Sequence, residues 1–167
     1  MHSRWIAAMA FATLVSALPA QQGVKVTRIA EANSRFASAI WAGDTLYLAG
    51  QMASAATPED RAQGRPAVYG DTKTQTLSVL TKIAALLETQ GLTMGDVVQM
   101  HVFLAADPAK GGKLDFDGMN EAYDQFFGTP RQPHKPVRAT VQVAALVQPW
   151  GLVEIEVIAV RPGGTSK

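Results

Sequence analysis

Residues 136–143 read P-V-R-A-T-V-Q-V, and after a loop that holds Pro149 and Gly151, residues 152–160 read L-V-E-I-E-V-I-A-V. Both segments alternate as strands do, because successive strand side chains point to opposite faces of a sheet. Arg138, Thr140 and Gln142 share one face of the first segment, and Ala139, Val141 and Val143 the other. In the second segment Glu154 and Glu156 share a face, opposite Val153, Ile155, Val157 and Ala159. The intervening loop is long enough to bring the two strands back antiparallel. Paired with their polar faces together, they would set Arg138 beside Glu154 or Glu156. One arginine facing two carboxylates permits two arrangements. It can be a plain ion pair that knits strands or subunits, since a buried charge needs a partner. Alternatively, Arg138 can await the carboxylate of a small acid, gripped through two parallel charge-assisted hydrogen bonds.

Working outward, the remaining elements follow from periodicity. Val24 to Ile29 alternates as a first strand, Ser38 to Trp41 as a second, and Thr45 to Ala49 as a third, ended by Gly50-Gln51. Residues 52–70 are rich in Ala, Pro, Gly and charge and read as a loop. Asp71 opens a helix in which Leu77, Leu80, Ile83, Ala84 and Leu87 recur at helical spacing and which Gly91 stops. A strand starts near Val97. Asp115 or Asp117 caps a second helix carrying Met119, Ala122, Tyr123, Phe126 and Phe127. The order is therefore three short strands, helix, strand, helix, two strands, an α+β domain whose two helices cover one face of a sheet. Leu46-Tyr47-Leu48-Ala49 and Val97-Val98-Gln99-Met100 are apolar on both faces, so the uncovered face is expected to be buried by self-association.

The first 20 residues differ in character. Met1 to Arg4 is basic, Trp5 to Leu18 is nearly all apolar, and Pro19-Ala20 ends the run on a small residue. That is the pattern of a secretory signal peptide, and the run falls short of the roughly 20 apolar residues of a membrane span. The expectation is a cleaved export leader over residues 1–20, a single domain over 21–167, a periplasmic location and no stable membrane anchor. Cleavage takes Arg4 alone of the charged residues and leaves 14 basic side chains against 14 acidic ones. Nucleic-acid binders carry a clustered positive excess. Here Lys110, Lys113, Arg131, Lys135 and Arg138 are interrupted by Asp115 and Asp117, which argues against a nucleic-acid partner.

The commonest chemistries find no foothold. The absence of cysteine excludes disulfides, thiol nucleophiles and thiolate metal sites. His101 and His134 have no second ligand at helical spacing, so no metal is expected. Ser34, Ser38, Ser54 and Ser78 lie in no nucleophile-elbow pattern, and Gly111-Gly112 forms no phosphate loop. Attention returns to Arg138, Glu154 and Glu156.

At these residues the chain resembles the RidA/YjgF family of small trimeric imine deaminases. The likeness runs from about Ala37 to Val160. It includes L-Y-L-A-G-Q ending at Gln51, Gln75-Thr76, G-L-T-M-G-D-V-V from Gly91, M-N-E-A-Y-D-Q-F-F from Met119, P-V-R-A-T-V from Pro136, and V-E-I-E-V-I-A-V. The resemblance implies a chorismate-mutase-like α+β fold, a homotrimer, and ligand sites between subunits. It also implies that Arg138 binds a substrate carboxylate, that Glu154 holds the attacking water, and that Asn120 borders the pocket. The implied reaction converts a 2-imino acid, or its enamine, to a 2-oxo acid and ammonia without a cofactor. Glu156 is expected in a structural pair.

Three departures from the family pattern bear on the pocket. Ser34-Arg35-Phe36 replaces G-P-Y, so Phe36 stands without the tyrosine hydroxyl. Ala49 stands where serine is common, and Thr140 where cysteine is common. Export also separates the chain from the cytoplasmic enzymes that make reactive imines. A trimeric, non-catalytic binding protein for small carboxylates is therefore the alternative reading, and a ribonuclease or translation-inhibitor role the third.

Overall fold

The computed structural model describes residues 23–163, so the leader expected over residues 1–20 lies outside the described residues. Six strands form one mixed sheet: β1 (Val26–Ile29), β2 (Ala39–Ala42), β3 (Thr45–Met52), β4 (Val97–Leu104), β5 (Val137–Gln142) and β6 (Val153–Val160). Two helices, α1 (Thr72–Thr89) and α2 (Phe116–Tyr123), complete the α+β domain. No helix among the described residues is long and apolar enough to cross a membrane.

The strand order is β1-β2-β3-β6-β4-β5. Every neighbouring pair is antiparallel except β4 and β5, which run parallel and are joined through α2. The parallel pair needs a long crossover, and a helix packed on the sheet supplies it. This order corrects the pairing expected for the last two strands. β6 inserts between β3 and β4, while β5 is left at the sheet edge with only β4 beside it. Arg138 accordingly stands opposite Met100, and Glu156 opposite His101. The register also shows that the two polar stripes lie on opposite faces. Arg138, Thr140 and Gln142 align with buried Met100, Val102 and Leu104 on the helix side, whereas Glu154 and Glu156 align with Phe103 and His101 on the other.

The helix-side face makes the core. Leu46, Leu48, Met100, Val102, Leu104, Val153, Ile155 and Val157 meet Val79, Leu80, Ile83 and Leu87 of α1 and Met119 of α2. A residue as enclosed as Leu80 or Ile83 costs about 2–5 kcal/mol when cut to alanine, because the cavity adds to the lost transfer energy. Asp71 caps α1, accepting the Thr74 N–H at 2.8 Å, and Gly91 follows with a φ of 72° that the turn out of the helix requires. The buried stripe of α1 includes Gln75 and Thr76 rather than Leu77 and Ala84, which are only partly covered. α2 is capped by Asp115 and ends at Tyr123, so Phe126 and Phe127 lie beyond it. β3 does not stop at Gly50 but runs on to Met52 through a register shift between Leu48 and Gln51.

A buried glutamine fastens two loops to α1. The Gln75 amide donates to the carbonyls of Gly70 (3.2 Å) and Trp150 (3.0 Å) and accepts the Leu152 N–H at 2.8 Å. Above it the rings of Tyr69 and Trp150 stack at 3.5 Å. The loop leading into β6 is thereby fixed just before Glu154. The face away from the helices stays open in the single chain, with Tyr47, Val137 and Val141 each about half exposed or more. Those side chains fit the expectation of a face made for self-association.

Candidate active site

Arg138 is held by one stripe of α2. Phe116, Met119, Asn120 and Tyr123 recur at spacings of three, one and three, which places them together on the helix surface facing β5. The Asn120 Oδ1 accepts from the Arg138 Nη2 at 2.8 Å, and Nη1 lies 3.7 Å from the Met119 Sδ. The guanidinium carbon stands 4.4 Å from the Tyr123 ring centroid and 5.9 Å from that of Phe116. A hydrogen bond to a charged group contributes about 1.5–3 kcal/mol and an aromatic face about 0.5–1 kcal/mol at a partly exposed site. Burial pushes the Tyr123 hydroxyl above its ordinary pKa, while the Arg138 charge pulls it back in part. The ring therefore stays neutral at physiological pH and adds no competing anion.

No carboxylate in the chain pairs with Arg138 among the described residues. A guanidinium has five N–H donors, and this one commits a single N–H to an oxygen. What remains is a positioned cation with donors to spare, suited to an incoming carboxylate or other planar anion. Thr140, the next residue on the same strand face, has its Oγ1 buried without a hydrogen-bond partner among the described residues.

Glu154 is positioned by a different part of the fold. It sits on β6 opposite Met52 of β3 and Phe103 of β4, at the place where the β3 register slips. Gly50 makes the room. A Cβ added there would overlap the Glu154 Oε1 and lie 3.1 Å from its Cδ, so only glycine leaves space for the carboxylate in this rotamer. The carboxylate makes no hydrogen bond or ion pair with another side chain among the described residues. It opens onto a cavity of about 400 Å³ shared with Phe103, Val143, Ala145, Leu146, Val147 and Glu156.

Glu156 is the engaged member of the pair. Its Oε1 is 2.8 Å from the His101 Nδ1, and the His101 Nε2 is 2.8 Å from the Gln99 amide nitrogen. A neutral imidazole satisfies both contacts, donating from Nδ1 to Glu156 and accepting at Nε2. The partner of Glu156 is thus a histidine on its own sheet face rather than Arg138.

Of the residues the sequence marks, the fold brings Arg138, Asn120 and Thr140 together and leaves Glu154 and Phe36 apart. Glu154 is on the opposite face of the sheet. Phe36 projects, 69% exposed, from the turn between β1 and β2, at the far sheet edge from β5. A substrate touching Arg138 and Glu154 at once must therefore lie between two copies of the chain. Sequence reasoning missed the aromatic and thioether cradle of Arg138, although residues 116, 119, 120 and 123 form a recognisable helical stripe. It also missed the purpose of Gly50, whose neighbour in space is set by strand order alone.

The chain is similar to known proteins over most of its length. The family model described as Endoribonuclease L-PSP matches residues 25–161. A RutC family protein of Pyrococcus horikoshii is 38% identical over 126 residues, covering 75% of this chain and 86% of that protein. The protein named "Putative reactive intermediate deaminase TdcF" of Escherichia coli is 37% identical over 94 residues, 56% of this chain and 67% of that one. The crystal structure of E. coli TdcF with bound serine superposes with a TM-score of 0.59 at 29% identity, covering 85% of this chain and all of the other.

Proposed function

The chain belongs to the Endoribonuclease L-PSP family, the RidA/YjgF proteins, and from that premise we propose that it is an exported homotrimer that hydrolyses 2-imino acids to 2-oxo acids and ammonia. One observation carries the reading. A cation and a carboxylate that have no ion-pair partner among the described residues occupy opposite faces of one sheet, so that neighbouring copies, and not one chain, can offer both to a single ligand. The exposed Tyr47, Val137 and Val141 on the open face support the association this requires.

The chemistry asks little of the protein. The iminium carbon is already electrophilic, so the tasks are orientation and proton transfer. Arg138 binds the carboxylate of the imino acid. Glu154 of an adjacent copy accepts a proton from water as the water oxygen bonds to the iminium carbon. The same proton passes to nitrogen, and as the carbon–nitrogen bond breaks the Glu154 carboxylate takes the remaining hydroxyl proton, so that the carbonyl of the 2-oxo acid forms; that proton then passes to the departing ammonia, which leaves as ammonium. No metal or cofactor enters the scheme. The structure of TdcF with bound serine supports a small ligand that bears a carboxylate.

The test uses imines generated in situ from amino acids by an amino-acid oxidase. Arg138→Ala is expected to abolish turnover. Glu154→Gln is expected to lower the rate by about 10²-fold or more with the trimer intact. Wild-type release of ammonia no faster than buffer, with 2-oxo acids still bound, would instead establish the non-catalytic carboxylate-binding protein. The changes at Phe36, Ala49 and Thr140, which remove or exchange polar groups, keep that second reading in view. Export predicts a mature chain beginning after Ala17 or Ala20, which N-terminal sequencing of the periplasmic fraction decides.

A further inference from the structure

The cavity beside Glu154 has a one-sided composition. Phe103 on β4 stands directly across from Glu154, and the chain leaving β5 adds Val143, Ala145, Leu146 and Val147. Among the described residues its ionisable groups are Glu154 and Glu156, and one oxygen of Glu156 is engaged by the His101 Nδ1 at 2.8 Å. Val147 is 86% exposed, an aliphatic side chain standing in the open at the cavity's rim. The Gln75 clasp and the Tyr69–Trp150 stack hold the far end of the same loop, so the wall is anchored on the side from which β6 begins.

We infer that this wall receives the side chain of the substrate, and that the site therefore selects 2-imino acids bearing a bulky apolar group, of leucine or phenylalanine size, over those of alanine or serine. The inference rests on the deaminase reading of Glu154. A substrate whose reacting carbon lies within reach of the Glu154 carboxylate must direct its side chain somewhere, and the lining there is aliphatic and aromatic carbon. A hydroxyl finds no uncommitted neutral donor or acceptor among those side chains. An acidic side chain meets two carboxylates, and a cationic one that pairs with Glu154 ties up the carboxylate that the reaction needs free. A cavity of about 400 Å³ is ample for either an isobutyl or a benzyl group.

The expected size of the effect follows from apolar burial. Leucine adds three carbons to alanine, and a wall open on one side realises only part of their transfer energy, so kcat/KM should favour the leucine imine by about tenfold or more. The experiment compares kcat/KM for imines made in situ from leucine, phenylalanine, alanine, serine and arginine. In parallel, calorimetry compares the Kd of 4-methyl-2-oxopentanoate with that of pyruvate. Leu146→Ser and Val147→Ser should each pull the leucine-to-alanine ratio toward one, with the oligomer unchanged by sedimentation.

An active wild type with a ratio near one, or with preference for the serine or arginine imine, overturns the inference and leaves the deaminase reading standing. Loss of the oligomer in both variants without a change in ratio assigns the loop to a subunit contact and overturns it too. If no imine is turned over, the deaminase reading falls, and the two Kd values then decide the wall by themselves. Tighter 4-methyl-2-oxopentanoate supports it, and equal or weaker binding overturns it.

Discussion

Replacing Gly50 with alanine separates the stability of this fold from the placement of its candidate acid/base. Gly50 does not adopt the left-handed backbone region, so an alanine is free of backbone strain there. Its new Cβ would overlap the Glu154 Oε1 and come within 3.1 Å of Cδ and 3.3 Å of Cγ, all atoms at the movable end of one side chain. Glu154 can escape by rotating, at a cost of about 0.5–1.5 kcal/mol if it leaves its preferred rotamer. Against this stands a gain of about 0.4–1 kcal/mol, because alanine has less conformational freedom to lose on folding than glycine. The two nearly cancel, and the thermal midpoint should move by no more than about 4 °C. Catalysis has no such compensation. A displacement of about 1 Å in a positioned group can cost about 10²-fold, and on the proposed deaminase reading kcat/KM for imine hydrolysis should fall by that order while the oligomeric state and the fold persist. Thermal unfolding, sedimentation and imine kinetics on one preparation provide the comparison. A Gly50→Ala protein with wild-type kcat/KM would refute the assignment of Glu154, or the claim that Gly50 fixes it.

Three further outcomes can be checked directly. Asn120→Asp puts a carboxylate where the amide oxygen now lies 2.8 Å from Arg138, so it competes with the substrate's own carboxylate; KM should rise by about tenfold or more while the melting point holds. Gln75→Leu removes three hydrogen bonds worth about 1 kcal/mol each, and should lower the thermal midpoint by roughly 10 °C. Hydrogen bonds from the side chain and the backbone N–H of Thr74 hold the Asp71 carboxyl below its ordinary range. A depressed folded-state pKa means stability that is present above the unfolded value and lost as pH falls through the folded one. Asp71→Ala should therefore cost about 1 kcal/mol in urea unfolding at neutral pH, with the difference from wild type shrinking as the pH drops below the ordinary aspartate value of 3.8.

Local pattern told much about this molecule, and spatial order told the rest. The cap at Asp71, the stop at Gly91 and the alternating faces of β5 and β6 were legible because each depends on neighbours within a few residues. The family resemblance rested on the same kind of local run and matches the fold found. The pairing of β5 with β6 was not legible. Both are adjacent in sequence and suited to a hairpin, but β6 is apolar on its core side for its full length and is buried between β3 and β4, whereas β5 is polar enough to stand at an edge. That one difference moved Arg138 from a glutamate to the α2 stripe of Phe116, Met119, Asn120 and Tyr123. It also placed Glu154 and Arg138 on opposite faces of the sheet. Leu77 was assigned to the core through its hydropathy, yet Gln75 takes the buried place because three backbone groups there need a partner.

The position of β6 has a bearing on how the chain comes into being. It is the last of the six strands in chain order and sits near the middle of the sheet. Before residues 153–160 emerge, the three-stranded meander and the parallel pair have no strand to join them into one sheet. Completion thus waits on contacts distant in sequence, the slow kind to form. A nascent chain of this design stays loose until residues 153–160 have emerged. A premature stop before residue 153 would remove the seam of the sheet and not its hem.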